Sequence, residues 1–362
     1  MSMCPPAHLG PLTDEAGAPN LRLLLVGFLV FWGCVSPAAA QGAGRPILDM
    51  HLHARRADYI GPNPPPMCAP FATMPRWDNV LPIEDGLDFN APPCEEPVFA
   101  PATDEGVLQE TLDAMERYNI VGMVSGEPDL TAVWKAAAPD RVIVGLDLRV
   151  GVDDAQPHVA ARTPDEVRAL HASGAFEVLG EVMAQYEGIP ADDPRLEPYW
   201  ALAEELDVPV AIHLGAGGPA DPYFGSPGYR ARDSSPLRME EVLVRHPRLR
   251  VYLMHAGYPF VDDLRALLFS HPQVYVDVGS IVYTEPRAAF YRFLQEVVEA
   301  GYGDRVMFGS DQMIWPGIIG PSVRAIEDAP FLSEVQKRDL FYHNAARFLR
   351  LDPETVARHH AR

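Results

Sequence analysis

Eight short apolar runs, separated by stretches of helical periodicity, constrain this chain more than any other feature. They cover Ile47–His53, Ile120–Ser125, Val142–Leu148, Phe176–Val182, Val208–Leu214, Leu249–His255, Val274–Val278 and Val306–Ser310. Each is nearly continuous in Val, Ile and Leu rather than alternating, as expected of parallel strands covered on both faces. Helical patterns fall near Arg195–Leu206, Pro236–Arg245, Val261–Ser270 and Arg287–Ala300, and a further one covers Ser333–Leu349. Thr103 and Thr163 stand where helix caps belong. Thr163-Pro164-Asp165-Glu166 adds proline at the first helical position and acid in the first turn. Eight β/α units predict a closed (β/α)8 TIM barrel over 46–351, with its active site at the C-terminal strand ends.

Those strand ends carry metal-capable side chains. The first run closes in His51-Leu52-His53, and a strand sends residues i and i+2 to one face. In a chain with 12 His among 362 residues such a pair carries little by itself. Later runs repeat the theme: Glu181 ends the fourth, His213 the fifth, His255 the sixth, and Asp311 follows the eighth. Four histidines and two carboxylates around one barrel mouth point to a metal centre, because imidazole and carboxylate are zinc-type ligands. Asp49 shares the face of His51 one layer deeper and either orients a ligand histidine or packs.

Composition narrows the function classes. The formal net charge of −21 argues against nucleic-acid or anionic-membrane binding. No Gly-x-Gly-x-x-Gly or phosphate loop follows a strand, which argues against nucleotide cofactors. Leu23–Gly33 is an apolar core of secretory-signal length, and Ala38-x-Ala40 offers a cleavage site. The expectation is a signal peptide over 1–40 and an exported, periplasmic or extracellular protein without stable membrane insertion after cleavage. An uncleaved anchor is the alternative. The mature chain keeps Cys68 and Cys94, and two cysteines in an exported chain suggest one disulfide. They lie in a long Pro-rich connection, 54–101, which emerges beside His53 and is expected to form a lid or wall over the site. Residues 352–362 are read as a C-terminal tail.

The order His-x-His, Glu, His, His, Asp on successive strands resembles the amidohydrolase superfamily, in its family 2 branch of metal-dependent hydrolases and decarboxylases. The most specific segments are Asp49-Met50-His51-Leu52-His53, Leu253-Met254-His255-Ala256-Gly257 and Phe308-Gly309-Ser310-Asp311. His343-Asn344-Ala345-Ala346-Arg347-Phe348-Leu349 is similar to the family's C-terminal helix, where His343 and Asn344 are expected to pack or cap. The resemblance implies that His51, His53 and Asp311 hold a divalent ion, expected to be zinc, and that Asp311 takes the proton of attacking water. A bound ion lowers the pKa of water from 15.7 to about 7. With two ions, Glu181 bridges and His213 and His255 hold the second. With one, His213 joins the first site, His255 acts as an acid or electrophile, and Glu181 contacts substrate or supports a ligand. Many relatives carry a carboxylated lysine where Glu181 stands.

Substrate contacts are assigned by position. Arg55 and Arg149 follow strands and either hold a substrate carboxylate or form a plain salt bridge. Tyr186, Tyr283, Gln312 and Trp315 lie just past strand ends. The Gly/Pro-rich stretch 215–232, with Tyr223, Tyr229 and Arg230, reads as a second active-site loop. His158, His171, His246, His271, His359 and His360 are read as surface residues. The resulting expectation is a metal-dependent hydrolase of a C–N or C–O bond (amide, lactone or ester) in a small molecule. The alternatives are a one-ion decarboxylase or hydratase, and a catalytically silent metal-binding protein. A homo-oligomer is compatible with the sequence.

Overall fold

The computed structural model describes residues 44–87, 94–150 and 160–362; the expected leader and His158 lie outside the described residues. Eight strands form one sheet in sequential order: β1 (Ile47–His53), β2 (Ile120–Gly126), β3 (Val142–Leu148), β4 (Val178–Val182), β5 (Val210–His213), β6 (Val251–Met254), β7 (Tyr275–Asp277) and β8 (Val306–Met307). All seven neighbouring pairs are parallel. Backbone bonds draw β1 to the β8 side: Met50 N donates to Phe308 O at 2.9 Å, Asp311 N to His51 O at 2.7 Å and His53 N to Gln312 O at 3.0 Å. The result is a nearly closed TIM barrel with helices between the strands.

Burial on both faces explains the unbroken apolar runs. On the outside, Val124, Leu146, Leu179, Leu253 and Val276 pack with helix residues such as Val107, Trp200 and Leu264. A second cluster joins Leu48, Met50, Met123, Val178, Ala211, Tyr252 and Met254. It lies inside the barrel, because Tyr252 Oη on β6 reaches across to donate to Met50 O on β1 at 2.7 Å. Each such side chain contributes about 1.5–3 kcal/mol on burial.

The helix signals act locally as expected. Thr103 caps Asp104–Arg117 by accepting from Gly106 N, and Thr163 forms a reciprocal capping box with Glu166 ahead of Pro164–Ala172. The last helical stretch is broken into Glu334–Arg338, a wider turn and Asn344–Leu349. Buried Asn344 donates to Val306 O at 2.7 Å and Gly303 O at 2.9 Å, so it packs and ties that helix to β8, while His343 is exposed. Residues read as a tail form one more helix, Pro353–His360, capped by Asp352.

Several expectations need correction. The later strands are shorter than their apolar runs, and β8 ends at Met307, four residues before Asp311. Beyond each strand the chain leaves the ladder to re-aim side chains. His246 and His359 are not surface residues. His246 is buried between Glu197 and Glu204, and His359 is buried where its Nδ1 receives a bond from Tyr342 Oη at 2.9 Å. His246 follows the helix Glu240–Arg245 directly, and His359 lies on Pro353–His360.

Cys68 and Cys94 are joined in a disulfide, with Cα atoms 5.8 Å apart. Around it, Met67 and Val98 exchange backbone bonds of 2.8 Å. Phe71 N donates to Thr284 O at 3.0 Å, Trp315 Nε1 to Pro65 O at 3.0 Å, and Trp77 meets the Tyr223 ring at 5.5 Å. The insert therefore touches the connections that follow β5, β7 and β8.

Candidate metal centre

Breaks in strand register set the ligand positions. The β1/β2 ladder shifts between Asp49 and Leu52, around His51. The β3/β4 and β4/β5 ladders both shift between Leu179 and Val182, around Glu181. Such irregularities re-aim a side chain at a barrel rim. His255 (φ 62°) and Asp311 (φ 55°) hold left-handed backbone conformations, which cost non-glycine residues about 1–3 kcal/mol each. That stability is given up where function needs the geometry.

All six expected ligands converge. Asp311 Oδ1 lies 3.2 Å from His51 Nε2 and 3.1 Å from His53 Nε2. Glu181 divides its oxygens: Oε2 stands 3.6 Å from His53 Nε2, while Oε1 stands 2.8 Å from His213 Nδ1 and 3.9 Å from His255 Nε2. His213 thus turns Nδ1 inward, and His255 Nε2 approaches it to 3.0 Å. Three overlapping groups have ligand atoms within 4.8 Å of one another: His51, His53 and Glu181; His51, His255 and Asp311; Glu181, His213 and His255.

The donor set fits a metal. His51 Nδ1 meets Asp277 Oδ2 at 3.1 Å, which places a proton there and turns the Nε2 lone pair inward. That Nε2 is buried without a hydrogen-bond partner. His255 Nδ1 likewise donates to Gly279 O at 2.9 Å, freeing its Nε2. His53 differs: its Nδ1 lies 2.8 Å from Ser125 Oγ and accepts from Arg55 Nη2 at 3.0 Å, so a ring nitrogen lone pair there faces the guanidinium. The electrostatics agree. Burial opposes ionisation of Glu181, yet bonds and charges from His213, His255 and His53 hold it well below the usual carboxylate range. Burial opposes Asp311 too, but His51 and His53 lower it. Burial works against a charge on His51, yet Asp311 and Asp277 push it up to about 10. Burial and neighbouring His255 lower His213, while Glu181 raises His255 against its burial. The cluster is built to hold positive charge, and binding a divalent ion releases the protons that otherwise supply it.

Asp277, at the end of β7, is the functional residue that sequence reasoning missed. It stood one residue before the end of its expected strand, as Glu181 and His213 did, but no ligand was marked on the seventh strand. Its Oδ1 also accepts from His255 N at 3.0 Å and Gly279 N at 2.8 Å, so one carboxylate positions two ligands. The fit is close: a Cβ on Gly279 would stand 2.4 Å from His51 Nδ1. Asp49 has a different task. Its Oδ1 accepts from His51 N and Ser310 N, both at 3.0 Å, and ties β1 to the segment before Asp311 without touching an imidazole ring.

The residues assigned to substrate lie as follows. Buried Arg55 pairs with Asp147, and buried Arg149 pairs with Glu187, so both guanidiniums already face carboxylates. Tyr186 is half-buried, with its ring 4.5 Å from that of His213. Trp315 is buried with its indole N–H turned to the insert, and Tyr283 and Gln312 are buried as well.

Comparison with known proteins accords with this picture. The Emericella nidulans protein fluG is 22% identical over 169 residues, 42% of this chain, and the chain spans only 19% of that protein's length. A 2,6-dihydroxybenzoate decarboxylase shares the fold with a TM-score of 0.52 at 16% identity, over 85% of this chain and 99% of its own. So does 4-oxalomesaconate hydratase from Rhodopseudomonas palustris, with a TM-score of 0.51 at 18% identity, over 86% and 98%. The amidohydrolase family model matches residues 48–351, the whole barrel from β1 to the C-terminal helices, and the chain belongs to the amidohydrolase family.

Proposed function

We propose that this protein is a metal-dependent hydrolase that cleaves a C–N or C–O bond (amide, lactone or ester) of a small organic molecule. The observation that carries the reading is the divided carboxylate of Glu181, one oxygen toward His53 and the other toward His213 and His255. A carboxylate placed between two histidine pairs suits two ions. His51, His53 and Asp311 would hold one, and His213 and His255 the other. Zinc is the proposed metal, since four imidazoles and two carboxylates match its ligand preferences. When bound, such ions lower the pKa of water to about 7 and polarise a carbonyl.

The chain's own groups complete the chemistry. Asp311 stays ionised beside His51 and His53, so its carboxylate can accept the proton of the attacking water and return it to the leaving group. Gly279 O keeps the His255 Nδ1 proton away from the reacting side and fixes the ring. Tyr186 walls the His213 edge. The insert, bridged to three connections at the mouth, limits access of water and substrate. Export to the periplasm or the exterior remains part of the proposal. It is supported by the apolar leader and its Ala38-x-Ala40 site.

Metal counting tests the reading. The mature protein is expected to bind close to two divalent ions, and Glu181→Gln about one. One tightly bound ion in both proteins would sink the two-ion arrangement. Screening lactones, amides, esters and aromatic acids tests the reaction class. Release of CO2 from an aromatic acid, without hydrolysis of any amide, lactone or ester, would favour the one-ion decarboxylase instead.

A further inference from the structure

The loop after β5 holds a carboxylate oxygen that no donor among the described residues matches. Asp221 opens the short turn Asp221–Tyr223, and its Oδ2 is buried without a hydrogen-bond partner among the described residues. Buried polar atoms are ordinarily paired, and this one belongs to a half-buried side chain. The loop is shaped around this atom. A Cβ on Gly217 would stand 2.1 Å from Asp221 Oδ2 and 3.1 Å from Tyr229 Cε2. Tyr229 is itself pinned, since its Oη accepts from Gly217 N at 2.8 Å and lies 3.4 Å from Ser234 Oγ.

These contacts lead from Asp221 to the metal centre. The Tyr229 ring lies 5.9 Å from that of Tyr186, which lies 4.5 Å from that of His213. Burial pushes Asp221 itself up to about 6, and a backbone bond from Gly218 is what opposes the shift, with no cation taking part. The two guanidiniums beside the strand ends, Arg55 and Arg149, are paired with Asp147 and Glu187.

We propose that Asp221 is a specificity-determining residue that receives a cationic group, an ammonium or guanidinium, on the ligand of this site. A cation there would donate to Oδ2 and lie along Tyr229 and Tyr186, whose ring faces attract positive charge. The substrates are then amines or guanidines carrying the scissile bond at the end that reaches the metal centre. This last step rests on the hydrolase function proposed above; the recognition of the cation does not.

Titration calorimetry of the metal-loaded protein with benzylamine and with benzyl alcohol tests the assignment. The ammonium should bind about tenfold tighter or more, as a charge-assisted hydrogen bond gives. Asp221→Asn should bring the two ligands close to equal. Gly217→Ala keeps the carboxylate but crowds Oδ2, and should weaken benzylamine more than benzyl alcohol; it serves where the Asn variant does not fold. Equal affinities in the unmodified protein, or a preference that survives the substitutions, overturn the proposal. Binding needs no turnover, so failure to hydrolyse any substrate would count against the hydrolase reading alone. Hydrolysis accompanied by indifferent binding of the two probes would count against Asp221 alone.

Discussion

His213 and His246 can be set side by side, one at the mouth of the barrel and one on its outer girdle of helices. Both are buried and both approach glutamate. His246 has a carboxylate on each ring nitrogen, Glu197 at 2.9 Å and Glu204 at 3.5 Å. His213 has Glu181 and His255 crowded on Nδ1, while its Nε2 is buried and unpaired. The carboxylates follow suit. Glu197 and Glu204 are matched by Arg245 and Arg248, whereas Glu181 is matched by histidines that need added positive charge. Residue type does not distinguish a binding site from a structural polar cluster; lone pairs left without protein partners do.

The sharpest way to break this contrast is at Asp311. If the mouth is chemical rather than structural, Asp311→Asn should lower turnover by about 10²–10⁴ while part of the metal stays bound. Parallel assays of kcat and metal content check this, and near-normal turnover would refute the assigned proton transfer. Next comes the insert that touches the loops around the mouth. Replacing Cys68 and Cys94 with serine should lower stability by about 3 kcal/mol, read from urea unfolding, because the unfolded chain regains the entropy of the closed loop. An unchanged midpoint would mean the insert adds nothing to the fold.

Asp277→Asn probes positioning at the mouth without removing a ligand. The amide can still accept from His255 N and Gly279 N, but it turns an NH2 toward His51 Nδ1. His51 should switch to the Nε2–H tautomer, visible in nitrogen-15 spectra of the metal-free protein, and metal affinity should fall about 10–100-fold. Unaltered spectra and affinity would reduce Asp277 to a packing role. The smallest effect belongs to the outer helices. Burial, aided by the charges of Arg362 and Arg358, lowers the His359 pKa to about 4, below its ordinary 6.5. Neutral His359 therefore favours the folded state above pH 6.5, and that contribution is lost as pH falls toward 4. The melting temperature should drop across this window more in the unmodified protein than in His359→Gln. Identical slopes would show that the shift does not reach stability.

Much of the fold was legible because it depends on burial. A strand covered on both faces must be apolar throughout, so eight such runs announced a barrel, and β1 and β3 kept the expected bounds. The later strands did not, because apolar character continues past the point where hydrogen bonding to the neighbour ends. Val274–Val278 illustrates the effect: the ladder stops at Asp277, which puts that carboxylate at the rim, and its role shows only in its 3.1 Å approach to His51 Nδ1. Asp147, next to the end of β3, likewise shows its role only in the structure, as the partner of Arg55. His246 lies just past an expected helix and His359 in the expected tail, and position along the chain does not show which glutamates or tyrosine such a residue meets.

By itself, the sequence determined the barrel, the six ligand-type residues and their order around the mouth, since these follow from covalent position and the two-sided burial of parallel strands. Tertiary structure alone decided which lone pairs remain unmatched. The division of Glu181 between two histidine pairs, the hold of Asp277 on His51 and the bare oxygen of Asp221 all depend on atoms from distant parts of the chain meeting within about 3 Å, the range over which hydrogen bonds form. No spacing along a chain encodes a distance of that kind.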